Sequence, residues 1–235
     1  RDNQLVYRGK HTFAVKVEKP DKDIRYHLWY GSVGDRKNPM WLKLELPRGK
    51  LKGEVIYEKE VPVNTELDGT IPVPREGTYL LHVAMKDSNQ FRLEVENPLF
   101  VVRAIERKEF CPFASARPAK NKEAFHSKGT PGFITRYFYV PVHLNHFTFS
   151  VNGGGPTEWA TFKVITPDDK VLLSKEKLIG KQDFAITVPP AIIGKIWRLE
   201  FRNGEDSAFY FSRQVPGWLA SHPGRLIVPE TYLHQ

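Results

Sequence analysis

The chain has 235 residues, of which 40% are hydrophobic and 12% aromatic, and its formal net charge is +8. This length is enough for two domains that each bury a core, and no run of 18 apolar residues is present to form a membrane-spanning helix. The single cysteine, Cys111, excludes an internal disulfide. Its Phe-Cys-Pro-Phe context predicts a buried, inert thiol rather than a nucleophile.

The excess positive charge is concentrated in one stretch of the chain. Residues 103–130 contain seven lysines and arginines against three glutamates, which accounts for half of the net charge. Nucleic-acid binding would need basic residues interleaved with stacking aromatics on a known fold motif, and the sequence has neither. The stretch is small, basic and interrupted by proline, so we interpret it as a linker, with contact to an acidic polymer as the alternative.

Residues 1–102 have the pattern of a β-domain. Apolar and polar residues alternate in short runs that recur at intervals of roughly ten residues, which is typical of a sandwich or barrel rather than of βαβ units. The predicted strands are 11–17, 25–30, 41–46, 54–57, 78–85 and 91–95. Residues 97–102 are predicted to end this unit.

Residues 131–235 form the second predicted β-domain. A glycine-rich turn at 152–156 and a tight turn at 167–169 separate runs of alternating residues. The predicted strands are 135–141, 147–151, 160–166, 170–173, 184–188, 197–201 and 208–212. This pattern predicts about eight short strands around one core, the number found in a jelly roll.

One phrase occurs in both units. Residues 70–74 (TIPVP) precede Gly77 and a new apolar run, and residues 185–189 (AITVP) precede Gly194 and a second such run. Proline ends a strand because it has no N–H, and glycine permits the turn that follows. The alternative is convergence on common turn chemistry. The predicted fold is therefore all-β: two tandem antiparallel β-sandwich domains, Ig-like or jelly-roll, joined by a basic linker.

Four segments of the second unit carry a resemblance to a known class of proteins. They are 137–141 (YFYVP), 147–151 (FTFSV), 164–171 (VITPDDKV) and 186–197, which ends at Trp197. This pattern resembles the accessory β-sandwich modules of large secreted bacterial proteins, such as jelly-roll carbohydrate-binding and pre-peptidase C-terminal domains. The resemblance covers residues 133–230 and implies an extracellular or cell-surface location and a polysaccharide or a neighbouring domain as partner.

Aromatic residues near polar loops are the candidate ligand-binding residues. Sugar rings stack on exposed Trp or Tyr side chains while carboxylates and amides bind the hydroxyls. Trp159 follows the glycine turn beside Glu158 and is the best surface candidate. Trp29 and Tyr30 are adjacent in a strand, so they point to opposite faces and one of them can be exposed.

The remaining tryptophans are assigned to the interior. Trp41, Tyr79 and Trp197 fit core positions in the predicted strands. Trp218 is predicted to close one end of the second sandwich.

Two acidic turns are candidate calcium sites, because oxygen-rich turns bind hard cations. Asp168 and Asp169 lie in one turn, and Glu205 with Asp206 in another. The alternative is that Asp and Asn simply favour turns, without any ion. Calcium is the only cofactor that the sequence suggests.

No catalytic motif is present in the sequence. The leading hypothesis is a non-catalytic module pair that binds glycans or positions a neighbouring catalytic domain. The second is a structural, self-assembling surface protein whose unpaired terminal strands add to a neighbour's sheet. The third is a small glycoside hydrolase that uses a carboxylate pair. The carboxylates available for such a pair are Glu158, Asp183, Glu200 and Asp206.

Overall fold

The computed structural model describes residues 5–18, 23–48, 51–106, 109–114 and 132–228. Eighteen β-strands and two short 3-10 turns form the regular structure of these residues. The strands are β1 (Val6–Arg8), β2 (His11–Val17), β3 (Asp23–Gly31), β4 (Met40–Arg48), β5 (Leu51–Val61), β6 (Thr65–Pro72), β7 (Gly77–Met85), β8 (Gln90–Val95), β9 (Leu99–Arg103), β10 (Pro112–Ala114), β11 (Ile134–Val140), β12 (His146–Asn152), β13 (Ala160–Ile165), β14 (Val171–Leu178), β15 (Lys181–Thr187), β16 (Lys195–Asn203), β17 (Ala208–Phe211) and β18 (Trp218–Leu219).

The strands form four antiparallel sheets. The strands of the first half form the five-stranded sheet β10-β1-β8-β3-β6 and the six-stranded sheet β18-β9-β2-β7-β4-β5, to which β10 of the linker and β18 of the second half each add one edge strand. The second half builds the four-stranded sheet β11-β16-β13-β14 and the three-stranded sheet β15-β12-β17. Alternation explains why the sheets bury one face: β7 and β16 each place every second side chain in the interior. The prediction of an all-β, antiparallel β-sandwich fold is confirmed.

The two halves repeat one strand path. Seven consecutive strands, β2–β8 in the first half and β11–β17 in the second, divide between two sheets in the same way. Numbered within each set, strands 1-6-3-4 lie side by side in one sheet, which are β2-β7-β4-β5 in the first half and β11-β16-β13-β14 in the second. Strands 7-2-5 lie side by side in the other sheet, which are β8-β3-β6 and β17-β12-β15. The repeated phrase falls at the same place in both halves, where the fifth strand ends, at Pro72 in β6 and at Thr187 in β15, before the sixth strand begins. Seven strands form the second set, rather than the eight expected of a jelly roll.

The halves join by strand pairing. β9 pairs antiparallel with β18, and β1 pairs antiparallel with β10. The partners occupy equivalent places in the two halves. β9 follows the seventh strand of the first half, and β18 lies in the segment that follows the seventh strand of the second half. Phe110 lies beside the seventh strand β17, just as Tyr7 lies beside the seventh strand β8. Each half therefore contributes the same edges to the contact, as in an isologous dimer.

The described part of the predicted linker is packed into this junction. Ala104 and Phe110 are fully buried. The ring of Phe110 contacts Tyr7 of the first half and Phe201 of the second, with centroids 6.0 and 5.5 Å apart. One continuous apolar core consequently extends through both halves. The limits of the two predicted domains stay predictions, and residues 107, 108 and 115–130 of the linker lie outside the described residues.

A second, smaller apolar cluster lies on the outer face of the six-stranded sheet. Trp218, Ala220 and Ile227 cover Ala14 and Val101 there. The predicted position of Trp218 at the end of the second sandwich is therefore wrong. Trp41 also differs from its prediction: it lies half-buried on the outer face, because its neighbours Met40 and Leu42 take the inward positions of β4.

Within the described residues, no helix is long and apolar enough to cross a membrane.

Candidate functional site

Two loops at one end of the second half interlock through their backbones. Residues 153–159 connect β12 to β13, and residues 204–207 connect β16 to β17. The Gly204 N–H donates to the Trp159 carbonyl at 2.8 Å, and the Glu205 N–H donates to the Thr157 carbonyl at 2.9 Å. The Ser207 hydroxyl adds a 3.2 Å bond to the Trp159 carbonyl. We call residues 153–159 and 204–207 the Trp159 loops.

Glycine is required where these loops touch. A methyl group on Gly204 would lie 2.1 Å from the Thr157 carbonyl oxygen, far inside van der Waals contact. Gly154 has a φ of 62°, a left-handed conformation that glycine adopts without strain. A methyl group there would meet the Glu158 carboxylate. The glycines of these loops therefore allow two backbones to lie in direct contact, and those of the glycine-rich turn also allow the chain to reverse direction.

Trp159 is the aromatic residue of the loops. It is half-buried, and the Arg202 guanidinium of β16 lies 5.6 Å from the centre of its ring. A cation over an indole face is attracted by the ring quadrupole, so Arg202 holds the ring in place and adds five hydrogen-bond donors beside it. The pair presents a flat apolar surface next to a positive, donor-rich group.

Three carboxylates accompany Trp159, and each already has a partner. The Glu158 carboxylate accepts a 3.0 Å bond from the Gly155 N–H, and the Glu205 carboxylate accepts a 3.3 Å bond from the Thr157 hydroxyl. Asp206 forms an ion pair with Arg8. Burial raises the pKa of Asp206, and the nearby charges of Glu158 and Glu205 raise it further, while Arg8 opposes both.

Arg8 ties these loops to the first half of the chain. Its Nε donates a 3.1 Å bond to the Ser88 carbonyl in the loop between β7 and β8, while its other side contacts Asp206. The loops that follow β7 and β16 occupy equivalent places in the repeated path, so one arginine fixes both. The Trp159 loops therefore stand on a rigid junction.

The structure brings together two sets of residues that the sequence left separate. Glu158 and Trp159, the predicted ligand residues, share one cluster with Glu205 and Asp206, the predicted metal residues. The cluster also contains Arg202 and Arg8, which the sequence analysis missed. No local pattern marks Arg8 as a partner of Asp206, since the two are 198 positions apart.

Tyr30 and Trp29 lie elsewhere. Tyr30 is fully buried; its hydroxyl donates to the Asn38 carbonyl at 2.7 Å and accepts a 2.9 Å bond from Asn89. A ring in the core cannot stack on a ligand, so the predicted binding role of Tyr30 is wrong. Trp29 takes the opposite, outer face of β3, half-buried, with its ring lying over Gly31.

The calcium prediction gains no support from the two acidic turns. They lie at opposite ends of β16, because Arg198 pairs with Ile165 beside one turn and Asn203 with Ala160 beside the other. Asp169 forms a 2.9 Å ion pair with Arg198. Among the residues that the structure describes, no three His, Cys, Asp or Glu side chains are grouped to hold a metal ion.

Asp168 shows what its turn uses acidic residues for. Its carboxylate accepts a 2.6 Å bond from the Thr166 hydroxyl and forms a 2.8 Å ion pair with Lys170. The bonds from Lys170 and Thr166 lower its pKa to about 2. Asp168 thus stabilises the turn between β13 and β14 through its own hydrogen bond and ion pair. This agrees with the alternative that acidic residues occur here because they favour turns, without any ion.

The other candidate carboxylates are also dispersed. Glu200 bonds Arg198 at 3.0 Å on β16, and Asp183 is exposed on β15. Cys111 is half-buried, and burial together with nearby carboxylates raises the pKa of its thiol to about 12. A thiol with so high a pKa is unreactive at neutral pH.

Comparison with known proteins gives matches to solved structures alone. No protein-family model matches the chain, and no curated protein matches it. Fifteen solved chains match its structure. One is the M60 catalytic domain with the CBM51-1 and CBM51-2 domains of ZmpB from Clostridium perfringens, with 8% sequence identity and a TM-score of 0.28. The match covers 88% of this chain and 34% of that chain, so this chain spans about a third of that protein.

Proposed function

We propose that the chain is a non-catalytic extracellular module that binds glycans through the Trp159 loops, and so anchors a neighbouring catalytic domain on a polysaccharide. The observation that carries the proposal is the cluster itself: a half-buried indole held by Arg202 and bordered by Glu158, Glu205 and Asp206. Its parts come from two loops whose backbones are locked together. A preformed site loses little conformational entropy on binding.

The chemistry of the cluster suits a sugar. The C–H face of a pyranose stacks on an indole ring, and its hydroxyls need both donors and acceptors around the ring. Arg202 supplies donors, and each carboxylate oxygen can accept a further bond beyond the one it makes within the loops. The cluster has three carboxylates and only two cationic groups, Arg202 and Arg8, so its net negative charge repels uronic acids. We therefore expect a preference for uncharged polysaccharides.

Affinity electrophoresis and pull-down test this proposal. The purified chain would be run through gels containing soluble xylan or β-glucan and incubated with insoluble cellulose, chitin and starch. We expect retardation or retention on at least one polymer, and loss of it in Trp159→Ala. Trp41→Ala is the matched control, since it removes a half-buried tryptophan from an outer sheet face far from the loops in sequence.

Two results would contradict the proposal. One is a wild-type chain that binds none of the polymers. The other is a folded Trp159→Ala variant that binds as well as the wild type. Arg202→Ala should weaken binding less than Trp159→Ala, because the indole face remains.

A second candidate function, glycoside hydrolysis, has one observation in its favour. A carboxyl group whose pKa is raised by burial beside other carboxylates is the arrangement of a general acid, and Asp206 has it next to Glu158 and Glu205. The Arg8 ion pair occupies this group, so binding is the leading function. Release of reducing ends from any polymer that the chain binds, abolished by Asp206→Asn while binding persists, would establish hydrolysis instead.

A further inference from the structure

The open edges of the sheets lie away from the terminal strands. β1 pairs on both sides, with β8 and β10, and β18 pairs with β9. In the part of the chain that the structure describes, β5 and β6 end the two sheets of the first half, and β14 and β15 end the corresponding sheets of the second. The prediction that terminal strands are unpaired is therefore wrong for β1 and β18, and the four outer strands are the edges available for pairing.

Exposed apolar side chains are concentrated at the edge formed by β14. Val171 and Leu172 on this strand are 53% and 41% exposed, and Ile179 just after it is 56% exposed. Val55 on β5, 46% exposed, is its counterpart in the first half. Apolar side chains on an unpaired edge strand mark a site for the addition of another strand.

The two edges carry opposite charge. Residues 53–72, which include most of β5 and all of β6, contain five carboxylates and one lysine. Residues 170–187, which include β14 and β15, contain four lysines and two carboxylates. The end formed by β5 and β6 is acidic, and the opposite end is basic along β14, whereas β15 has one lysine and one aspartate and no net charge. Charge complementarity of this kind selects opposite ends of two copies and disfavours like ends.

We propose that copies of this chain associate head to tail, with the β14 edge of one copy pairing with the β5 edge of the next. β5 and β14 are both the fourth strand of the repeated path. Pairing between equivalent edge strands is how the two halves already join, at β9 and β18. The same mode repeated between copies extends the layer that contains β5 and β14. Because the contact is heterologous, it adds copies one after another into an open filament wherever successive rotations do not close a ring.

The association should be weak and salt-dependent. Lysines and bulges blunt edge strands, and β14 has Lys175 and Lys177 and two register shifts against β13. Lys177 has a φ of 45°, which interrupts the regular ladder. These features oppose tight, irreversible stacking, so attraction between the charged ends is what selects the contact.

Sedimentation velocity of the purified chain tests this. At low ionic strength the weight-average mass should rise with concentration, up to about 1 mM, and fall towards the monomer in about 0.5 M NaCl, where charges farther apart than a few ångströms are screened. A chain that remains monomeric at every concentration in low salt would overturn the proposal. So would a closed dimer that does not grow.

Charge reversal identifies the edges. The variant E58K/E60K makes the β5 edge basic like the β14 edge, and the variant K175E/K177E makes the β14 edge acidic like the β5 edge, so each variant alone should remain monomeric. An equimolar mixture should assemble again, because every contact then joins an acidic to a basic edge. Assembly of either variant alone to the wild-type extent, or failure of the mixture of two folded variants, would refute the pairing. Neither variant touches a residue of the Trp159 loops, so glycan binding should be unchanged.

Discussion

The surroundings of His11 predict that the junction between the two halves loses stability in acid. Its side chain is 4% exposed and packs against the ring of Tyr7, 5.0 Å away between centroids. Nε2 accepts a 3.1 Å bond from the Cys111 N–H, so it is unprotonated, and Nδ1 faces the Gly9 carbonyl oxygen at 3.4 Å. Protonation of Nε2 would set two donors against each other at the point where the linker segment meets β1.

The pKa of His11 gives the size and sign of this effect. Burial lowers it from the ordinary 6.5 to about 4, and the Gly9 carbonyl only partly opposes the shift. Because the folded pKa lies below the unfolded one, the unfolded chain takes up the proton first. The contribution of neutral His11 to the free energy of unfolding is therefore fully present above pH 6.5 and is lost as the pH falls towards 4. A shift of this size corresponds to about 3 kcal/mol.

Urea unfolding followed by tryptophan fluorescence at neutral pH and near pH 4 measures the loss. His11→Gln cannot titrate, so the free energy of unfolding should depend less on pH in this variant, by about 3 kcal/mol over this range. His143→Gln, in an exposed loop, is the control and should behave as the wild type. Identical pH dependence in wild type and His11→Gln, with both folded at neutral pH, would refute the reasoning.

Three further experiments probe packing and the Arg8–Asp206 ion pair. Gly204→Ala should destabilise the chain by about 1–3 kcal/mol in urea unfolding, by overpacking, and should weaken glycan retention, whereas Gly132→Ala, which meets nothing within 4 Å, should be neutral. Trp218→Ala should cost about 3–5 kcal/mol in the same assay, since it uncovers the outer apolar cluster. A double-mutant cycle of Arg8→Ala and Asp206→Ala should give a coupling of about 1 kcal/mol; additive effects would show that their contact contributes nothing to stability.

Alternation made most of the strands predictable. Each of the thirteen strands predicted from the sequence corresponds to a strand of the structure, because a half-buried strand needs apolar residues at every second position. β6 was not predicted: its residues Glu66, Asp68 and Thr70 are exposed on an edge, and only Leu67 and Ile71 point inwards as larger apolar residues. β10 and β18 are too short to show a period, and tertiary pairing alone orders them.

Long-range contacts explain what the sequence could not predict of the site. Glu158 and Trp159 could be found because they follow a glycine turn, and Glu205 with Asp206 because they occupy another. That the two turns touch depends on the register of β13 against β16, where Ala160 lies opposite Asn203. Alternation fixed the opposite orientation of Trp29 and Tyr30 but not which face was the core, and that choice depends on the second sheet.

The junction links fold to function in this chain. A binding loop on a single sandwich would be held only by its own strands, and loops are the most mobile part of such folds. Here the second strand set is placed so that Asp206 meets Arg8, and Arg8 meets Ser88 in the equivalent loop of the first set. Because the two strand sets pair through equivalent edges, Arg8 and Asp206 connect the Trp159 loops to the first half at the junction. The same arrangement leaves β5 and β14, which carry opposite charge, as edges at the far ends.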